Sequence, residues 1–349
     1  MIRPSHINAA ILVEQRQPLV IADIGLPKTL EAGQVLVKIQ SSGICGSQIG
    51  EIDGAKGPDK FLPHLLGHEG AGTVLEIGAG VKHVKPGDMV VLHWRKSQGI
   101  EPVPPKYDWD GKVVNAGWVT TFNDHAIVAE NRLTVIPADS DPGVAALFGC
   151  AVTTGFGVVL NNAKLKIGET VVVFGAGGIG LNIIQAASLC SAYPIIAVDL
   201  FDGRLDLAKK MGATHVINAK NTDAFAEIKK IMGTQKLDVF IDNTGKPDII
   251  RQGYDLTHAQ GRVILVGVPK AGADTSLFTL PLHFGKIITG SQGGEAIPQE
   301  DIPRYHNLYR QGQIKLKELI TKRVKLAQIN EAISGMRDGS ISGRVVVDF

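Results

Sequence analysis

The chain has 349 residues, 44% of them apolar and 20% charged, with a net charge of +2. That length suits two domains and that composition an ordinary globular protein. The two signs of charge are interspersed, so nothing in the chain is built to attract nucleic acid. No apolar stretch reaches the roughly 18 residues of a membrane span. The opening "MIRPSHINAAILVEQRQPL" lacks the apolar core and cleavage pattern of a signal peptide. Cys45, Cys150 and Cys190 are too few and too scattered for a disulfide framework. The expectation is a cytoplasmic protein without membrane or nucleic-acid partners.

Residues 1 to about 150 carry short β-rich runs, "QVLVKIQSSG", "GAGTVLEIGAG", "GDMVVLHW" and "HAIVAENRLTVIP", separated by Gly and Pro turns. This pattern predicts a mostly antiparallel, barrel-like β domain. Within it, "GIEPVPPKYDWDGKVVNAGW" reads as a long irregular loop, and such loops in compact domains are often functional. From 169 to 294 the pattern becomes regular. "ETVVVFGAGG", "PIIAVDL", "HVINA", "LDVFIDNTG", "GRVILVGV" and "KIITGSQGG" read as strands. "IGLNIIQAASLCSA", "DGRLDLAKKMGA", "TDAFAEIKKIMG" and "DIIRQGYDLTHAQ" read as the helices between them. Alternation with short connections predicts a parallel sheet covered on both faces. The closing "GRVVVDF" is a strand that rejoins the first domain. The predicted fold is therefore α/β, with domains at 1–151 plus 295–349 and at 152–294.

"VVVFGAGGIGLNII" contains G-x-G-x-x-G as Gly175, Gly177 and Gly180, with Gly178 inside the turn. The motif ends a strand, opens a helix, and is followed 19 residues after Gly180 by Asp199 at the next strand end. Gly175 permits the tight turn, Gly177 lets a pyrophosphate approach the backbone, and Gly180 lets helix and sheet pack closely. The helix N-terminus then faces the phosphates with free N–H groups. Asp199 would accept from the adenosine ribose hydroxyls and repel a 2′-phosphate, which favours NAD over NADP. Arg204 either softens that preference or is a solvated helix arginine.

Cys45, His68 and Cys150 lie 23 and 82 residues apart, a spacing that does not by itself make a metal site. However, "GICGS", "GHEGAGTVLEIGAGV", "KPGDMVV", "GCAVTTGFG", "VVVFGAGGIGL" and "GRVVVDF" occur in the order seen in the medium-chain, zinc-dependent alcohol dehydrogenases, and the chain resembles that family over nearly its whole length. The resemblance implies a GroES-like β catalytic domain beside a Rossmann domain. It implies Cys45, His68 and Cys150 as the three protein ligands of one catalytic zinc, a donor set that leaves the fourth position for substrate. It implies Glu69 behind the metal as ligand or supporting carboxylate, and Ser47 as the hydroxyl that passes the substrate proton toward the cofactor. Thr154 would pack near the nicotinamide. Val268 would contact the carboxamide through its backbone, and Arg344 would reach the pyrophosphate. The implied reaction is hydride transfer between NAD(H) and an alcohol or its aldehyde or ketone. Family members are usually homodimers or homotetramers joined through the Rossmann sheet.

Two departures stand out. The lobe near residues 95–115, where the family often holds a second, structural zinc on four cysteines, has no cysteine; packing by Tyr107, Trp109 and Trp118 is expected to order it instead. Near Cys45, Gly46, Gln48 and Gly50 replace residues that usually support the metal ligands and the proton path, so Ser47 lacks an evident partner. His93 is one candidate, though a packed core histidine is the plainer reading. Trp94, Arg95 and Trp118 are candidates for the substrate pocket. Arg95 with Lys96 would favour an anionic alcohol, or be a solvated basic pair. "CGS" points toward polyols or sugar-derived alcohols, and Cys150 toward simple ones. A zinc-independent quinone or enoyl reductase of the same superfamily, and a non-catalytic cofactor-binding protein, remain the alternatives.

Overall fold

A computed structural model describes residues 3–349. The chain forms two compact units: residues up to Cys150 together with Ile297–Phe349, and the contiguous stretch Ala151–Ala296. No helix among the described residues is long and apolar enough to cross a membrane.

The first unit is built from a small closed barrel and a seven-stranded sheet. The barrel runs through His6–Leu12, Val20–Gly25, Lys106–Trp109, Lys112–Asn115 and His64–Leu65. The sheet has Gln34–Gly43 at its centre, flanked by Glu69–Ile77 and Arg344–Asp348, with His125–Ala129 also paired to it. Val35, Val37 and Ile39 enter an apolar cluster with Val90, Leu92 and Val128. Leu36, pointing the other way as strand geometry requires, joins Ile7, Tyr107 and Ile127 in a second cluster. Burial of each such side chain stabilises the unit by about 1.5–3 kcal/mol. On the strand Arg344–Asp348, Val345 and Val347 pack with Ile44, Ile52, Leu66 and Ile333 in a third cluster. This is where the late return of the chain is anchored.

The expected irregular loop at 99–118 is not wholly irregular. Lys106–Trp109 and Lys112–Asn115 form an antiparallel hairpin, closed by Asp110 and Gly111 with positive φ at both positions. Asp-Gly is the residue pair such a two-residue turn demands. Tyr107 is buried and its hydroxyl accepts from the Ile127 N–H at 2.9 Å. The neighbouring segment 97–103 is fixed by the buried carboxylate of Glu130. Its Oε1 accepts from the N–H groups of Lys82 and His83, and its Oε2 from that of Ile100. Arg132 donates to Glu101 at 2.7 Å and lies over the Trp118 ring, whose Nε1 donates to the Pro102 carbonyl. The Glu130 carboxylate, the Arg132–Glu101 pair and the packed Tyr107 and Trp118 together order the lobe that carries no cysteines.

The second unit is a six-stranded, all-parallel sheet in the order His215–Asn218, Ile195–Asp199, Val171–Phe174, Leu237–Asp242, Thr257–Leu265, Ile287–Gly290. The first strand in sequence is central, and the order reverses beside it, the arrangement that binds dinucleotides at strand C-terminal ends. One boundary differs from expectation. The helix Pro247–Leu256 ends before "THAQ", which begins the next strand, because Thr257 is buried and pairs with Leu237. The helices Pro142–Leu147, Ala151–Gly157, Pro298–Arg310 and Ile329–Asp338 were not marked by the pattern reading.

Candidate active site

Cys45 is separated by one residue from the end of the central strand of the first unit and N-caps the helix Gly46–Ile52 in an extended backbone conformation. His68 immediately precedes the strand Glu69–Ile77, and Cys150 follows the helix Pro142–Leu147. The three residues bring one donor atom each to within 4.8 Å of one another. The two sulfurs lie 3.9 Å apart, far beyond a disulfide. Two thiolates on a common tetrahedral zinc, each at about 2.3 Å, would be separated by about 3.8 Å. The His68 Nε2 is buried without a hydrogen-bond partner, an expensive arrangement unless a cation completes it. The hydrogen bond from Cys150 holds the Cys45 thiol well below its ordinary range; burial opposes this, and His68 and Arg344 add to it. Donor chemistry and spacing both fit zinc.

Arg344 sits with this donor set. Only 2% exposed, it pairs its guanidinium with the fully buried Glu69 and approaches Cys45. It neutralises the carboxylate behind the metal donors, because a buried Glu69 requires a partner charge. Ser47 donates its hydroxyl to Cys45 Sγ at 3.3 Å. Gln48 supplies support that its position had seemed to lack. Its carbonyl oxygen accepts from the Gly67 N–H, next to His68, and its Nε2 donates to Glu51 at 2.9 Å. His93 is a core residue: 1% exposed, bonded to the Arg95 carbonyl and Thr134, and pushed by burial down to about 4.

A cavity of about 340 Å³ adjoins His68. Its walls include Gln48, Glu51, Phe61, His64 and Trp118. Trp94 and Arg95 do not line it; Arg95 lies instead over the Trp94 ring at 5.9 Å. Of the three expected pocket residues, only Trp118 reaches this cavity. Glu51, Asp59 and His64 bring donor atoms within 4.8 Å of one another beside it. Nothing in their sequence spacing announces this cluster, which the helix Gly46–Ile52 and the turn before His64 assemble.

In the second unit Gly175 has φ of +93°, and a Cβ on Gly180 would collide with the Gly175 carbonyl oxygen. The helix Gly178–Leu189 starts after Gly177 without a side-chain cap, so its first N–H groups face outward as an anion site. Asp199 ends its strand. One of its oxygens accepts from the Ala176 N–H at 2.8 Å and the other from Leu200 and Phe201. Arg204 stands 3.7 Å from that carboxylate and 4.8 Å over the Phe201 ring. Thr154 is buried on the helix Ala151–Gly157 with its hydroxyl unpartnered, and Val268 is 57% exposed.

Residues 31–138 match the alcohol dehydrogenase GroES-like domain family, and residues 178–311 the zinc-binding dehydrogenase family. The chain is similar to an alcohol dehydrogenase class-3 of Cereibacter sphaeroides and to an S-(hydroxymethyl)glutathione dehydrogenase of Paracoccus denitrificans. Each is 32% identical, over 97% of this chain and 99% of the relative. Its fold is similar to the solved benzyl alcohol dehydrogenase of Acinetobacter calcoaceticus, with a TM-score of 0.88, 29% identity and 99% of both chains covered. With the glycine turn, the convergent Cys–His–Cys donors and likeness over the whole length, the chain belongs to the zinc-dependent medium-chain alcohol dehydrogenases, oxidoreductases acting on CH–OH donors with NAD.

Proposed function

We propose that this chain oxidises a primary or secondary alcohol, or reduces the matching carbonyl, with one catalytic zinc held by Cys45, His68 and Cys150. The observation that carries the reading is the meeting of two sulfurs 3.9 Å apart with a buried, unpartnered imidazole nitrogen. Zinc bound there would supply a Lewis acid for the substrate oxygen, and a bound NAD would supply the hydride acceptor. Gln48 orients the backbone beside His68, and the Glu69–Arg344 pair fixes the charge behind the donors. Ser47, adjacent to Cys45, is the hydroxyl placed to take the substrate proton. Gly175, Gly177, Gly178 and Gly180 cradle the pyrophosphate, Asp199 takes the ribose hydroxyls, and Arg204 beside it tempers the exclusion of a 2′-phosphate. Thr154 and the Val268 backbone are assigned to the nicotinamide end. The lobe at 95–118 carries no second zinc. Relatives named for benzyl alcohol and S-(hydroxymethyl)glutathione support hydroxymethyl compounds as substrates. The absence of Arg95 from the cavity weighs against an anionic alcohol. Two donor thiols that must stay reduced fit the cytoplasm.

Purified protein is expected to hold about one zinc per chain. It is expected to form NADH, faster than NADPH, from at least one member of a panel of benzyl alcohol, simple alcohols, polyols and cyclitols. Less than about half a zinc per chain, with turnover intact, would instead favour the zinc-independent reductase reading.

We further propose a homodimer or homotetramer. The strand Ile287–Gly290 ends its sheet with one edge unpaired, and Phe278, Leu280, Phe284 and Ile287 nearby are roughly half exposed or more. Apolar exposure of this kind marks interfaces. Light scattering should give at least twice the 37.1 kDa chain mass, and a monomer at working concentration would sink the proposal.

A further inference from the structure

The cavity beside His68 has an unusual charge character. At about 340 Å³ it is large enough for a small ligand. Glu51 is the one carboxylate in its lining, and no lysine or arginine lines it. That carboxylate is held in place: its Oε2 accepts from Gln48 Nε2 at 2.9 Å, and Gln48 is itself held by the Gly67 N–H. Its Oε1 has His64 Nε2 at 4.0 Å, with the Asp59 carboxylate in the same cluster, and His64 is committed to Asp59 at 2.7 Å and to the Leu65 carbonyl at 3.0 Å. One oxygen of a positioned carboxylate is thus left for a ligand. Two aromatic rings complete the walls, Phe61 at 68% exposure and Trp118 at 43%. The Trp118 ring already carries a cation, the Arg132 guanidinium 5.4 Å from its centroid.

We infer that this cavity selects alcohols bearing a positively charged nitrogen, with the ammonium held by Glu51 against the Phe61 and Trp118 rings and the hydroxyl directed to the His68 end. A carboxylate with aromatic faces and no lysine or arginine in the lining is the chemistry that recognises ammonium groups, and the Arg132 charge on Trp118 is already paired with Glu101. The inference rests on the alcohol dehydrogenase reading of the Cys45–His68–Cys150 site.

Two measurements on the zinc-loaded enzyme test it. With NAD, para-(aminomethyl)benzyl alcohol is expected to exceed para-methylbenzyl alcohol in kcat/KM by about tenfold at neutral pH, where the amine is protonated. Glu51→Gln should bring that ratio near one, and Glu51→Asp, which keeps the charge, should retain part of it. Calorimetry with benzyltrimethylammonium, which has no hydroxyl to oxidise, should show binding that weakens about tenfold in Glu51→Gln. Equal or better turnover of the neutral alcohol overturns the inference. So does a Glu51→Gln protein of unchanged melting temperature that keeps both the ratio and the ammonium affinity. If neither alcohol is oxidised while the ammonium still binds through Glu51, the selectivity of the cavity stands and the dehydrogenase reading falls.

Discussion

Cys150→Ser is expected to release the zinc and to lower kcat/KM with NAD and alcohol by at least about a thousandfold. The variant removes one of three convergent donors and puts a weakly acidic hydroxyl where a thiolate is required. The change is nearly isosteric, so the packing of the site should survive it. Cys190→Ser serves as the comparison. That thiol is half-buried, pushed up by burial, and outside the donor cluster, so its loss should leave metal content and rate unchanged. Metal analysis alongside the kinetics decides: full zinc and full activity in Cys150→Ser would remove Cys150 from the donor set.

Glu130→Ala is expected to destabilise the first unit by about 3 kcal/mol, a fall in Tm of roughly 6–12 °C for a unit of this size. Glu130 is 1% exposed and its two oxygens gather three backbone N–H groups from two separate segments. Truncation leaves those donors competing for water across a cavity and loosens the turn at Ile100. Burial works against the charge on Glu130. The N–H groups of Lys82, Ile100 and His83 outweigh it and hold the carboxyl below its usual range. The unfolded chain, with its ordinary value near about 4.3, therefore binds the proton more readily than the folded chain. The stabilisation is complete above that value and is lost as pH falls through the lower, folded one. Glu130→Gln should flatten this part of the acid limb of the stability curve. Thermal melts of both proteins between neutral and acidic pH would show it, and parallel curves would refute the assignment.

Much of this was legible because two local devices announce themselves. The glycine turn is set by backbone sterics, so Gly175 and Gly180 can be read from letters alone, and the strand alternation around them fixes the sheet. The hairpin at 106–115 was equally legible in principle: Asp110-Gly111 between two β-rich runs is its signal, obscured by the prolines upstream. The donor set needed the family resemblance, since spacings of 23 and 82 residues carry no geometry. Least legible were the residues that act through distant partners. Gln48 looked like a missing support because its value lies in a bond to Gly67, and the pairing of Arg344 with Glu69 was hidden because the two are far apart in sequence. Glu130 gave no sign, because its partners are backbone groups and backbone carries no letter.

The interruption of the first unit by the second sets an order of assembly. The strand that leads to Cys45 is flanked by one that is synthesised only after all of Ala151–Ala296. At cellular synthesis rates the delay between Cys150 and Arg344 is on the order of ten seconds. The second unit, contiguous in sequence, can fold during that interval. Cys45 and Cys150 are already synthesised by then, and the arginine that pairs with Glu69 behind them is added last. The charge that offsets buried Glu69 is therefore expected to reach the donor set only when the last strand docks.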